Sequence, residues 1–179
     1  AAAGVSRAAP AARAAEQTLQ SIGNKEIRVE LPSDFTWRDK AILLQTNDVF
    51  EQRVVANEPF NKWTVGITVN SVVIESLEQA GPVDLAAQRM VEIERRKDGS
   101  LSADLLAASR GRAGDLPVDS IEFRSETTRG YYHYLVRVAI NKGKLYTVTS
   151  QAPEEQWAKL EPSARALMDS LKIDVSSAA

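Results

Sequence analysis

Residues 131–150 read YYHYLVRVAINKGKLYTVTS, and this stretch decides the fold. From Tyr131 to Asn141 and from Lys144 to Ser150 the residues have strand character, and Lys142-Gly143 between them is a short hairpin signal. Asn141-Lys142-Gly143-Lys144 leaves the turn type open. Two strands joined so tightly are antiparallel neighbours. Just beyond, Pro153-Glu154-Glu155 places acids at a helix start, and Trp157, Leu160, Ala164, Leu167, Met168 and Leu171 form an apolar stripe at helical spacing. Such a stripe is buried by packing against the sheet.

Upstream, strand character is also expected at Ser120 to Glu126. A helix is expected from Pro82, with Val83, Ala86, Ala87, Met90, Val91 and Ile93 recurring at its period; it stops before Asp98-Gly99, where Arg95, Arg96 and Lys97 suit the C-terminal dipole. Trp63, Val65, Ile67 and Val69 share one face of a strand expected over 63–73, while Thr64, Gly66, Thr68 and Asn70 share the other. A strand over 50–56 precedes it across the polar loop Asn57-Glu58-Pro59, so the two are read as antiparallel neighbours. Glu26 to Leu31 alternates charged and aliphatic residues and ends at Pro32-Ser33-Asp34, with Phe35 and Trp37 following as packing anchors. The order is a tail, about three strands, a helix, about four strands and a helix, with no internal repeat. It predicts an α+β fold, an α/β/α sandwich around a central antiparallel sheet.

The 179 residues suit one domain. The 22 basic and 24 acidic side chains nearly cancel, which argues against nucleic acid as a partner, since phosphate contacts need a surplus of Lys and Arg. Cysteine is absent and histidine occurs once. These counts exclude thiol nucleophiles, disulfide frameworks and Cys/His zinc sites, and they leave one residue for any His-based triad. The longest aliphatic run, Ala41-Ile42-Leu43-Leu44, falls far short of the roughly 20 apolar residues that span a bilayer, so a soluble or peripheral protein is expected. Residues 1–15 hold nine Ala, Arg7, Arg13 and no acid, unlike anything that follows. We read 1–21 as an Ala-rich docking tail and 22–179 as a single domain.

A search for chemistry returns little. Gly111 and Gly114 lack the third glycine and the Lys-Ser/Thr of a phosphate loop. Asp98, Ser100, Ser102 and Asp104 place oxygens at alternate positions, but without the mid-loop Gly and terminal Glu of a calcium loop they read as a solvated turn. The acid pairs Glu92/Glu94 and Asp119/Glu122 have no spacing that separates a catalytic dyad from surface charge. His133 remains, among three of the four tyrosines, as a hydrogen-bonded structural residue or a metal or partner contact. No catalytic residue and no intrinsic cofactor are expected.

These residues also resemble a family. His133 lies ten positions before Gly143-Lys144-Leu145-Tyr146, which is followed by Ser150-Gln151-Ala152 and by Trp157, eleven positions after Tyr146. This is similar to the C-terminal signature of PsbP, the extrinsic protein of the photosystem II oxygen-evolving complex. Upstream, Val29-Glu30-Leu31-Pro32-Ser33 with Trp37, the block from Trp63-Thr64-Val65 to Val69, and Gly81-Pro82-Val83-Asp84 resemble the family's earlier blocks, so the likeness covers about residues 22–173.

The resemblance implies an α/β/α sandwich, residence in the chloroplast thylakoid lumen, and a non-enzymatic, peripheral role on the lumenal side of the membrane. There the protein would bind lumenal domains of photosystem core subunits and other extrinsic subunits, and support calcium and chloride retention. Arg7, Arg13, Arg129, Lys142 and Lys144 are the expected partner-binding residues. The family's cation site pairs the strand His with an Asp near the last helix; the matching position here, three before Trp157, is Glu154. His133 and Glu154 are thus implied as ligands of a weak divalent cation, calcium or manganese. Residues 1–15 do not resemble the family's ion-retaining N-terminal segment. PsbP-like paralogues that serve as assembly factors, or as subunits of photosystem I or an NDH-type complex, are the alternative reading.

Overall fold

The computed structural model describes residues 19–40, 44–46 and 49–176. Short strands β1 (Ser21–Gly23), β2 (Ile27–Glu30), β3 (Trp37–Asp39) and β4 (Leu44–Gln45) lead into the long pair β5 (Val49–Ala56) and β6 (Thr64–Ser71). Helices α1 (Leu77–Ala80) and α2 (Val83–Arg95) follow. Four long strands come next: β7 (Ser100–Ala113), β8 (Leu116–Thr127), β9 (Gly130–Asn141) and β10 (Lys144–Pro153). Helix α3 (Glu154–Asp169) and β11 (Lys172–Ile173) close the described chain.

The large sheet runs β3-β5-β6-β10-β9-β8-β7, with β4 also paired to β5, and all its pairings are antiparallel. Strands β7 to β10 form a meander of consecutive hairpins, and β10 then pairs with β6. The segment holding α1 and α2 carries the chain from β6 to the far edge. At the β9–β10 turn Lys142 has φ 48° and Gly143 φ 73°, so both central residues are left-handed, as a two-residue type I′ hairpin requires.

Alternation along each strand assigns the two faces. Trp63, Val65, Ile67, Tyr146 and Val148 meet α3, whose Trp157, Leu160, Ala164, Leu167 and Met168 are all buried. On the opposite face Ile121, Phe123, Tyr134 and Val136 meet Ala87 and Val91 of α2. The sheet is thus sandwiched between helices, as the sequence order predicts. Beside α3 a small sheet, β1-β2-β11, seals the core with Ile22, Ile27 and Val29.

Three details correct the sequence reading. The segment expected as a solvated turn at 98–104 enters strand β7 at Ser100; only Asp98-Gly99 turn. In α2, Ile93 is 62% exposed and Glu94 is buried, because Ala87, Val91 and Glu94 hold the i, i+4, i+7 positions of the packed face. Leu19 packs against the core and Gln20 accepts a hydrogen bond from the Leu31 amide, so residues assigned to the tail belong to the folded domain.

Asp119, wholly buried on β8, is held by Arg110 of β7 through two parallel contacts of 2.7 and 3.0 Å. Arg110 also donates to the Gly81 carbonyl, fastening the α1–α2 link to the sheet edge. The bond to Asp119 holds the Arg110 guanidinium above its ordinary pKa.

Candidate functional site

His133 is 3% exposed on the α3 face of β9. Its ring stacks on the Trp157 indole, with centroids 3.8 Å apart and planes 8° from parallel. Its Nδ1 lies 2.9 Å from Glu154 Oε2 and its Nε2 lies 2.8 Å from Glu122 Oε1. As an imidazolium the ring donates from both nitrogens, one bond to each carboxylate.

Two elements place these groups. In the β8–β9 hairpin Arg124 stands opposite His133, so Glu122 is the next residue along β8 on the same face. Helix α3 supplies the rest, since Glu154, Trp157, Glu161 and Arg165 are spaced by three, four and four residues and share one stripe. Arg165 donates to both Glu122 oxygens at 3.1 Å and to Glu161 at 2.8 Å, and its guanidinium lies 5.8 Å from the Trp157 ring centroid. These carboxylates hold Arg165 above its ordinary pKa against the opposing effect of burial. Arg124 approaches Glu154 at 3.8 Å. Three carboxylates (Glu122, Glu154, Glu161) thus surround the ring and the two guanidinium groups of Arg124 and Arg165.

The structure therefore joins His133 and Glu154, the pair expected as cation ligands, and adds Glu122, Glu161, Arg165 and Trp157. The two glutamates on the ring meet different nitrogens, on different edges of the imidazole, and so do not converge on one point. Among the described residues no group of three or more His, Cys, Asp or Glu is placed to hold a metal ion. The arrangement suits hydrogen bonds better than a coordination shell. A cation at Nδ1 would displace the bond to Glu154 and find two protein ligands, His133 and Glu154.

The expected docking residues do not form one patch. Arg7 and Arg13 lie outside the described residues. Arg129 sits in the β8–β9 turn, whereas Lys142 and Lys144 sit at the far end of β9, whose 12 residues span roughly 40 Å at about 3.3 Å each. Lys144 is tied at 2.7 Å to Glu26 and fastens the hairpin to the small sheet. Among them Arg129 has an exposed side chain with no ion-pair partner among the described residues.

The PsbP family model matches residues 24–173. The chain belongs to the PsbP family. Two relatives of this PsbP-family protein are CyanoP of Thermosynechococcus vestitus, 25% identical over 155 residues covering 83% of this chain and 75% of the relative, and PsbP domain-containing protein 2, chloroplastic, of Arabidopsis thaliana, 27% identical over 135 residues covering 73% and 55%. The chain thus spans about half the length of the plant relative. In structure it is similar to cyanobacterial PsbP (CyanoP) of Synechocystis sp. PCC 6803, with a TM-score of 0.67 at 15% identity, covering 93% of this chain and 98% of that one. This likeness is one of fold, and it agrees with the antiparallel sheet and flanking helices described above.

Proposed function

We propose that this protein is a non-enzymatic extrinsic subunit of photosystem II. It resides in the thylakoid lumen, binds the lumenal face near the oxygen-evolving complex, and supports retention of calcium and chloride there. The observation that carries this reading is the PsbP family match over residues 24–173, which takes in both helix layers and the whole large sheet. Supporting it, the chain's one histidine has both nitrogens engaged by carboxylates and a face covered by Trp157, a poor arrangement for a general base. Among the described residues no helix is long and apolar enough to cross a membrane, which suits attachment through protein contacts.

The test is release and reconstitution. Washing oxygen-evolving membranes with about molar salt, where the Debye length is roughly 3 Å, releases a subunit held by charge. The expected result is release together with loss of oxygen evolution that added calcium and chloride restore, and recovery on adding the purified protein back. Retention through the wash, release without loss of activity, or co-purification only with incomplete photosystem particles would overturn the reading.

A further inference from the structure

Helix α2 covers only the β7–β9 half of its face of the sheet. The other half, on β6 and β10, carries Thr64, Gly66, Thr68, Thr147, Thr149 and Gln151, with no helix over it among the described residues. At one end of the step between covered and open halves lies a cleft of about 610 Å³. Its rim carries Lys40 beyond β3, Lys62 in the β5–β6 loop, Lys97 after α2 and Arg129 in the β8–β9 turn, all exposed. Four segments distant in sequence converge there, each contributing a cation. Against them stand two acids, Glu94 and Asp98, and Glu94 is buried and already contacts Lys97. The cleft is formally +2 (four cations less two acids) in a chain that is −2 overall.

The side chains of Lys40, Lys62 and Arg129 form no ion pair among the described residues. The cleft wall is polar and aromatic: Tyr132, Gln151 and the Tyr134 hydroxyl, which donates to Glu94 at 3.2 Å. A neighbouring hollow of about 380 Å³ shares Lys62, Arg129 and Tyr132 but is also lined by Glu154 and Glu155, so the positive surface ends at Lys62 and Arg129. Exposed cations from the β5–β6 loop and the β8–β9 turn, which flank the end of β10 in the sheet order, fit an extended chain that offers carboxylates on alternate sides.

We propose that this cleft is the docking site for an acidic, extended peptide segment of a partner protein, with Lys62 and Arg129 as the principal anchors. The proposal rests on reading the protein as an extrinsic docking subunit and specifies the chemistry of the segment it grips. Lys62 and Arg129 bind carboxylates from either side of the β10 end, and Lys40 and Lys97 extend the positive rim.

The test titrates the full-length protein into a fluorescein-labelled hexaglutamate peptide at fixed ionic strength, reading anisotropy. Expected is saturable binding that weakens steeply with salt and falls at least about tenfold in Lys62→Glu/Arg129→Glu. Lys62→Gln/Arg129→Gln, which only removes the charges, gives an intermediate loss, and Lys25→Glu/Lys172→Glu at the small sheet gives none. Circular dichroism confirms that each variant is folded, since all these side chains are exposed. Equal binding by the wild type and both cleft variants, no saturable binding, or displacement of the peptide by millimolar sulfate at constant ionic strength would overturn the proposal. Because the titration needs no photosystem, failure here with normal membrane attachment overturns the cleft proposal alone. Peptide binding without membrane attachment overturns the photosystem reading alone.

Discussion

Beneath α3 the sheet presents Trp63, Ile67, Tyr146 and Val148, none more than 1% exposed, and the packing continues through Trp37 into the small sheet. Beneath α2 a second, smaller group of Val91, Ile121, Phe123, Tyr134 and Val136 is buried, and beyond it the same face turns to threonines and solvent. The α3 face is buried across β5, β6 and β10 and opens toward β7, where Asp104, Ala107 and Ser109 are exposed, whereas the α2 face is buried toward β7–β9 and opens on β6 and β10. Burying a large apolar side chain contributes about 1.5–3 kcal/mol, so the α3 side dominates stability. The α2 side keeps exposed cations at its open end, where a docking surface can form without disturbing the core.

That contrast can be broken by mutation. Trp63, fully buried and donating from Nε1 to Ser150 Oγ at 2.9 Å, anchors the α3 side, so Trp63→Ala should cost about 4 kcal/mol in urea unfolding. Asp119→Ala, which strands the partly exposed Arg110 and frees the α1–α2 link, should cost about 3 kcal/mol. Val91→Ala under α2 should cost about 2 kcal/mol. A Val91→Ala loss equal to that of Trp63→Ala would show that the two faces contribute alike.

The smallest effect is one of pH. Tyr146 lies in the α3 core, and burial together with nearby Glu26 pushes its hydroxyl from 10.0 up to about 12. A raised folded-state pKa means that the contribution of the neutral phenol is whole below pH 10 and is lost as pH climbs through about 12. Tyr146→Phe should therefore change stability at pH 7 by less than about 1 kcal/mol and flatten its decline over that alkaline window, followed by thermal melts. An unchanged alkaline slope would mean that the Tyr146 hydroxyl does not contribute to the decline.

Most of the architecture was legible because burial imposes its period. The alternation of Trp63 to Val69, the Lys142-Gly143 turn and the stripe from Trp157 to Leu171 each named an element that the structure contains. Strand β7 was missed because it is an edge strand with two register shifts, at Ser100/Ser102 and Leu105/Ala107, and little of it is buried. Its alternating Ser100, Ser102 and Asp104 carry a strand period whose polar composition reads as a solvated turn. Glu94 defeats a reading by hydropathy, since a carboxylate on the buried stripe is tolerable only with Lys97, Ser125 and Tyr134 around it.

At the histidine site, Glu154 was found through family likeness, while Glu122 and Arg165 were not. Folding the β8–β9 hairpin about Thr128-Arg129 puts position 124 opposite 133 and leaves 122 as its neighbour on the same face, so the register held that signal. Arg165 lies on the same helical stripe as Glu154, two steps beyond Trp157 through Glu161. The basic cleft could not be read from sequence at all, because Lys40, Lys62, Lys97 and Arg129 meet only through the order of the strands.

Docking as proposed brings the open end of the α2 side of this PsbP-family protein against photosystem II while the α3 side holds the fold. Cryo-electron microscopy of photosystem II particles reconstituted with the protein tests it most directly. Expected is density for the domain on the lumenal face, with the Lys62 and Arg129 end against acidic residues of the complex. Particles without that density, or a domain attached through α3 and the His133 face, would contradict it.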